Sequence, residues 1–520
     1  MKFQFSFLLV FLSSTVLAQL TTVKVNHTNN NPNEPSVAIN PFSTKTIVAA
    51  ANINNFYFSR NRGTTWIETT ATSEFGVYGD PVLHYSDSQL FFTHLSKTKG
   101  KGYGDWFDRI VVQEIKNFNP WQETSYSVGY NNNKMQDKPW LSSDDFSKKF
   151  KGNKYVTWTE FDVYDSKDPK DRSRIRFSKK GVNDKSFTDA ITISDITGDC
   201  QDGDSTLEGA TTAVGKNGEI YVVWAGLNKI WFDKSLDGGK TWGTDQILAD
   251  QAMGWDMDMP NIHRANGMPF IGCYTESNRI YITWADEKNG DADIWLLYSL
   301  DGGRTWSDRF KLNTDDSEGN QYFPNLTIDQ KTGDVYVAYY DQRHSSKQFF
   351  YDIYLSKINA TQPQKINNYR ITEQSIPLPG SRFFYGDYLD LDIAGNQIAI
   401  AYPKYTLLNI SEIEMAYGNL IDLTLNPERI DPFTSNIAFE KDSLSLVVNA
   451  QNKARIDVKI RYGSFFNGAR QRYKSTLEPK ENLSDFVISS YGKTNKIKYR
   501  LRIIDLNTGN IHKIRKQFSF

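Results

Sequence analysis

The run Ser299-Leu300-Asp301-Gly302-Gly303-Arg304-Thr305-Trp306 occurs again as Ser235-Leu236-Asp237-Gly238-Gly239-Lys240-Thr241-Trp242, and in worn form as Ser59-Arg60-Asn61-Arg62-Gly63-Thr64-Thr65-Trp66. The pattern Ser-x-Asp-x-Gly-x-Thr-Trp describes a hairpin. Asp or Asn accepts backbone N–H groups across the turn, Gly takes a positive φ, and Thr-Trp opens the next strand. The Trp then supplies a large apolar ring for packing between neighbouring sheets. A hairpin that returns at long intervals restricts the chain to a repeat architecture.

The remaining sequence agrees with a repeat built from strands. Aromatic residues are plentiful (Tyr 28, Phe 32, Trp 12), and no long stretch has helical apolar periodicity, so the class is all-β. Seven β-rich runs align with one another: Thr46–Ala51, Leu90–Leu95, Tyr155–Thr159, Tyr221–Ala225, Tyr281–Ala285, Tyr336–Tyr340 and Ile398–Tyr402. Each follows a shorter run with a polar opening, at Glu34-Pro35, Asp80-Pro81, Asp137-Lys138-Pro139, Glu208-Gly209, Pro260-Asn261, Pro324-Asn325 and Asp387-Tyr388. Four short antiparallel strands per unit make a seven-bladed β-propeller, with six blades as the alternative count. The seventh unit shows three strands, and Thr22-Val23-Lys24-Val25 is the expected fourth that closes the ring.

The two ends read differently. Residues 1–18 combine an early Lys2, the apolar run Phe3 to Leu12 and small residues before Ala18, the pattern of a cleaved export signal. No later apolar run is long enough to cross a bilayer, so the mature chain is expected outside the cytoplasm, secreted or periplasmic. The propeller is expected over 19–423. From 424 to 520 the pattern changes to strands such as Arg455–Tyr462 and Lys496–Arg502 that alternate apolar with charged residues, as in a small β-sandwich. The net charge of −1 conceals an asymmetry, because residues 451–520 hold 16 Lys and Arg against 5 Asp and Glu. Lys459, Arg461, Lys498, Arg500 and Arg502 form either a solvated sheet face or a surface for anionic polymers. The two cysteines, Cys200 and Cys273, suit a disulfide or two buried thiols equally.

Blade geometry separates the faces. In an up-and-down blade, the start of strand one and the connection from strand two to strand three share one face, and the hairpin from strand three to strand four lies on the other. The Ser-x-Asp hairpins, with Ser235, Asp237, Gly239, Thr241, Trp242 and Ser299, Asp301, Gly303, Thr305, Trp306 as structural residues, therefore mark the face opposite the openings. The long connections fall on the opening face, where function is expected.

Glu34, Asp80, Asp137, Glu208 and Asp387 begin inner strands and should ring the channel mouth, where paired carboxylates can cleave a glycoside as general acid and base or nucleophile. Glu160, Asp162, Asp286 and Asp341 end second strands nearby. His94, on the same rim, is a candidate for proton transfer. Arg109, Arg174, Arg343 and Arg382 are candidates to grip an anionic sugar, Trp106 and Trp255 to stack on sugar rings. Asp199, Asp202 and Asp204, beside Glu208, are oxygen ligands at a spacing suited to calcium, though no cofactor is required.

The three hairpins are Asp-box, or BNR, repeats, and residues 30 to 423 resemble the sialidase superfamily of propeller proteins. Glu34-Pro-Ser-Val-Ala-Ile-Asn40, Gly79-Asp-Pro81, Gly198-Asp-Cys200, Glu208-Gly-Ala210 and Gly386-Asp-Tyr388 resemble secreted bacterial sialidase-like proteins. The resemblance implies an exo-acting glycosidase, but the Arg-Ile-Pro motif that carries the first sialidase arginine is replaced by Asn33-Glu34-Pro35. Three readings follow: a glycoside hydrolase using a pair among Asp80, Asp137, Glu208 and Asp387; a non-catalytic glycan- or protein-binding propeller; and a polysaccharide lyase acting on acidic glycans through His94, Tyr388 and Arg109. Carbohydrate is the expected partner, not nucleic acid.

Overall fold

The computed structural model describes residues 20–100, 106–118, 121–315, 317–345, 349–379, 383–384, 386–406 and 410–420, and beyond these only the backbone of strands between 433 and 519. The expected export signal, residues 1–18, and Arg382 lie outside the described residues.

Seven antiparallel sheets succeed one another along the chain. Their inner strands are Ser36–Ile39, Val82–Ser86, Met135–Ser143, Glu208–Val214, Phe270–Tyr274, Gln321–Ile328 and Asp390–Ala394, and these define blades I to VII. In blades I to VI strands two, three and four follow in chain order. Blade VII takes its fourth strand from the other end of the chain, where Thr21–Lys24 pairs with Ser411–Asn419 and Val23 stands opposite Met415. The ring closes as the sequence indicates, with seven blades and not six.

The core is distributed between the blades. One apolar cluster joins blades I and II through Phe56, Phe92 and Leu83, another joins III and IV through Tyr155, Phe177 and Trp224, and another joins IV and V through Phe232, Trp284 and Trp295. Second strands are covered on both sides, which is why they read as nearly unbroken apolar runs and do not alternate. Trp158, Trp224 and Trp284, at matching positions of blades III, IV and V, are fully buried.

The repeated hairpins are wedges between blades. Asp301 Oδ1 accepts the N–H groups of Arg304 and Thr305 at 3.0 and 2.9 Å, and Ser299 Oγ accepts that of Gly303 at 2.8 Å. Gly303 has φ +72°, and a Cβ there would lie 2.8 Å from Phe232 of the preceding blade. Trp306 meets the same Phe232 edge to face with centroids 5.0 Å apart, and Trp242 meets Phe177 at 4.9 Å.

One opening departs from the sequence reading. Pro260-Asn261 does not begin an inner strand, because a small extra hairpin, Asp256–Met257 paired with Ala265–Asn266, precedes blade V. The inner strand starts at Phe270 after Met268-Pro269. Cys200 and Cys273 are both buried free thiols. Beyond Leu420 the backbone forms a three-stranded and a four-stranded antiparallel sheet, with Ala454–Tyr462 paired to Lys496–Asp505. The expected sandwich packing of their side chains lies outside the described residues.

Candidate active site at the channel mouth

Several inner strands are entered through a residue with left-handed backbone geometry: Glu34 at φ +47°, Asp80 at +48°, Lys138 at +48°, Gly209 at +70° and Phe323 at +51°. In blades III, IV and VI the strand register slips here, between Asp137 and Trp140, Glu208 and Thr211, and Tyr322 and Asn325. Such bulges re-aim side chains at sheet ends, and each non-glycine residue held in this region costs about 1–3 kcal/mol. Three of these strained residues, Glu34, Asp80 and Lys138, carry the charges of one cluster.

Lys138 is the centre of that cluster. Its ammonium is paired with Asp387 and stands 3.9 Å from Glu34 Oε1 and 3.8 Å from Asp80 Oδ2. Arg264, from the extra hairpin before blade V, donates from Nε to Asp387 Oδ1 at 2.9 Å and also contacts Oδ2. Its Nη1 reaches Asp202 Oδ2 at 3.3 Å, an oxygen that also accepts the Tyr164 hydroxyl. Asn52 donates to Glu34 and accepts the Asp80 N–H at 2.8 Å, and the Asp387 N–H reaches Glu34 Oε1 at 3.1 Å.

All five predicted opening carboxylates thus belong to one electrostatic unit, and their proton affinities diverge. Burial, reinforced by Asp80 and Asp202, pushes Asp137 up to about 8 despite the nearby Lys138. Burial together with Asp202 and Asp137 raises Glu208 well above the carboxylate range, and burial raises Glu34 in the same direction against the pull of Lys138. Asp387 is equally buried, but Lys138 and Arg264 outweigh desolvation and hold it far below the ordinary range. Environments that separate the proton affinities of neighbouring carboxyls assign the acid and the base. Asp80 Oδ2 and Glu208 Oε2 are buried with no hydrogen-bond partner.

Tyr388 lines the channel below this ring, its hydroxyl 3.5 Å from the Pro81 carbonyl. His94 is fully buried, donates from Nδ1 to the Leu95 carbonyl at 2.9 Å and packs on Phe92. Burial drops its imidazole to about 4, so it is neutral. Arg109 binds Asp108 at 2.8 Å and lies between Phe75 and Tyr130. The lyase trio is therefore held by three different sets of partners.

The other arginines have the bidentate partners expected of them, but the partners are the protein's own rim carboxylates. Arg174 grips Asp162 through two 2.8 Å bonds and Glu160 through one of 3.1 Å, while Arg343 is 2.7 Å from Asp341. Arg309 donates through a single nitrogen, Nη1, to Asp286 Oδ2 at 2.9 Å and to the Asp250 carbonyl at 2.6 Å. Trp255, expected to stack on sugar, is 1% exposed in the interface of blades IV and V, where its Nε1 donates to the Thr206 carbonyl at 3.1 Å. Trp106 packs against Met135, Phe161 and Cys200.

The proposed calcium ligands diverge. Asp199 turns to Thr206 at 3.1 Å, Asp204 accepts the Asp256 N–H at 2.8 Å, and Asp202 faces Arg264 and Tyr164. Among the described residues no group of three or more His, Cys, Asp or Glu is placed to hold a metal ion.

Sequence reasoning missed Lys138 and Arg264. Lys138 occupies the position before proline that Glu34 and Asp80 occupy in blades I and II, so aligning Pro35, Pro81 and Pro139 would have found it. Arg264 sits in the insertion that was read as an opening, and no sequence signal marks it.

Fold and site together define a seven-bladed propeller with a buried cluster of acids and two cations at one channel mouth. No protein-family model matches the chain, and no curated protein matches it. Solved structures similar to it include a Hadza microbial sialidase (12% identity, 72% of this chain and 73% of that one, TM-score 0.41). A Penicillium chrysogenum α-L-arabinanase complexed with arabinobiose aligns at 13% identity over 78% of this chain and 99% of its own, TM-score 0.40. A Trypanosoma rangeli sialidase in complex with the inhibitor DANA aligns at 11% identity over 86% and 85%, TM-score 0.38. Sialidases, the group that the sequence resembles, are thus among these structures.

Proposed function

We propose that the protein is an exported glycoside hydrolase in which Asp137 is the general acid and Asp80 the nucleophile or general base, acting on a sugar without negative charge. The observation that carries this reading is the split within one cluster: Asp137 keeps its proton up to about 8, while the neighbouring Asp387 is held as an anion by two cations. A protonated Asp137 can deliver its proton to the glycosidic oxygen as the bond to the anomeric carbon breaks. Asp80 Oδ2 accepts no hydrogen bond and stands 3.8 Å from the Lys138 ammonium; it can attack that carbon or take a proton from water. Lys138 and Arg264 are both committed to Asp387. Neither is free to bind a substrate carboxylate, and this disfavours sialic acid and uronic acids.

The test is release of free sugar from a panel of neutral and acidic glycosides. Asp137→Asn and Asp80→Asn should each lower kcat by about 10²–10⁴-fold while leaving the fold intact. The anomer first released, read by NMR, decides between nucleophile and base for Asp80. Ultraviolet-absorbing unsaturated product from acidic polysaccharides would overturn the reading in favour of a lyase. Glycan binding with no turnover would overturn it in favour of a binding propeller.

A further inference from the structure

After the propeller, one four-stranded antiparallel sheet runs in the order Ala469–Leu477, Ala454–Tyr462, Lys496–Asp505 and Ile511–Ser519. Its register lines residues up across all four strands. One row is Arg472, Lys459, Arg500 and Arg515, a cation on every strand. The row on one side of it is Arg470, Arg461, Lys498 and Gln517, and the row on the other is Lys474, Asp457, Arg502 and Lys513. Rows two residues apart share a face. That face therefore has four cations in its central row, three in each flanking row, and a single acid. The other face has the apolar composition of a core side, with Ile456, Val458 and Ile460 opposite Ile503, Leu501 and Tyr499.

A face that only had to be polar would mix its signs. Like charges directly opposite one another on neighbouring strands destabilise a sheet. Here Lys459 lies between Arg472 and Arg500, and Arg461 lies between Arg470 and Lys498. A ligand that brings many negative charges at once relieves this repulsion.

The same positions narrow the class of polyanion. Four strands measure about 14 Å across, whereas the major groove of DNA is about 12 Å wide and takes a helix or a two-stranded ribbon. No aromatic residue stands in the three rows, so they offer no platform for stacking bases. No apolar residue stands there to enter a membrane interface. Arg predominates over Lys in the rows, and its planar fork matches the paired oxygens of an oxyanion.

We propose that this sheet face binds an acidic polysaccharide, a sugar chain carrying carboxylate or sulfate groups, along the row Arg472-Lys459-Arg500-Arg515. The proposal is independent of the hydrolase reading, because binding is measured without turnover.

The experiment titrates the full chain by calorimetry with dextran sulfate, polygalacturonate and neutral dextran. At least one acidic polymer should bind and dextran should not; the tighter of the two identifies the anionic group. Raising NaCl from about 50 to about 200 mM should weaken binding by about tenfold or more. Lys459→Gln combined with Arg500→Gln should weaken it by about tenfold or more as well. Lys216→Gln combined with Lys240→Gln takes the same charge off the exposed surface of the propeller, and should change binding by less than about twofold. Lys459→Arg combined with Lys498→Arg keeps every charge and should bind at least as tightly, which separates loss of charge from loss of folding.

Failure of both acidic polymers to bind overturns the proposal, as does undiminished binding after Lys459→Gln and Arg500→Gln. An equal loss in the sheet and propeller variants overturns it too, since net charge alone would then account for binding. Tighter binding of duplex DNA or of phosphatidylserine vesicles at the same salt would overturn it in favour of a nucleic-acid or membrane surface.

Discussion

Arg264 and Asp387, 123 residues apart, meet at the channel mouth with Nε donating to Oδ1 at 2.9 Å. With Lys138 they fasten three parts of the ring: blade III, the hairpin before blade V and the turn before blade VII. Removing one member of a buried ion cluster leaves the others uncompensated, which costs far more than the cluster itself contributes. Asp387→Asn should therefore destabilise the propeller by about 3–5 kcal/mol, measured by denaturant unfolding. Adding Lys138→Met to that variant should restore part of the loss. A loss near zero in Asp387→Asn would mean that the cations are not held by this carboxylate.

The raised acids make an opposite prediction about pH. Asp137 moves from an ordinary 3.8 to about 8 on folding, so the folded protein binds this proton more tightly than the unfolded chain does. Stability therefore falls as pH rises through that interval, and Glu34 and Glu208 act in the same direction. Asp387 acts in reverse: its contribution is present above 3.8 and is lost as pH falls through its depressed value. Urea unfolding at pH 5, 7 and 9 should show declining stability, with a flatter slope in Asp137→Asn, whose amide does not titrate. As general acid, Asp137 should also give kcat/KM a falling limb near pH 8.

The ring of acids was legible because propeller geometry turns a sequence period into a position. Each inner strand begins at the same height, so Glu34, Asp80, Asp137, Glu208 and Asp387 had to converge wherever their blades lay in the chain. The cations were not legible by the same route. Lys138 was in plain view beside Asp137, but a bulge, which sequence does not display, decides which of two adjacent residues turns toward the cluster. Arg264 depends on an insertion whose Pro260-Asn261 imitates an opening. Trp255 was placed in the right loop and given the wrong neighbours, because that loop dips into the seam between blades IV and V.

The repeated hairpins should matter for stability and not for chemistry. Asp301 accepts two backbone N–H groups and the Thr305 hydroxyl, the last at 2.7 Å. The Thr305 N–H and hydroxyl hold its carboxyl well below the ordinary range. The site is exposed, so Asp301→Ala should cost only about 1 kcal/mol, the size of a lost helix cap. Activity per folded molecule should be unchanged, since the hairpin lies on the face opposite the carboxylates. A fall in kcat with normal stability would contradict that separation of faces.

Ring closure rests on few bonds and can be tested at one of them. Val25, just past the closing strand, is fully buried, and its N–H donates to the Ile413 carbonyl at 2.8 Å. Asn26 Oδ1 accepts the Ile413 N–H at 2.9 Å, so both polar groups of Ile413 depend on the amino-terminal segment. Val25→Pro deletes the first bond and should cost roughly 3 kcal/mol. The loss should be local at first. Strand Ser411–Asn419 would become an edge, with its amides exchanging faster than those of Ile398 and Ile400, and an uncovered edge recruits other chains. Hydrogen exchange should therefore change in blade VII before blades III to V, and dimers or aggregates should appear at concentrations where the unaltered protein shows none. Uniform exchange throughout the propeller would mean that the ring unfolds as one unit and that the closing strand is no weaker than the rest.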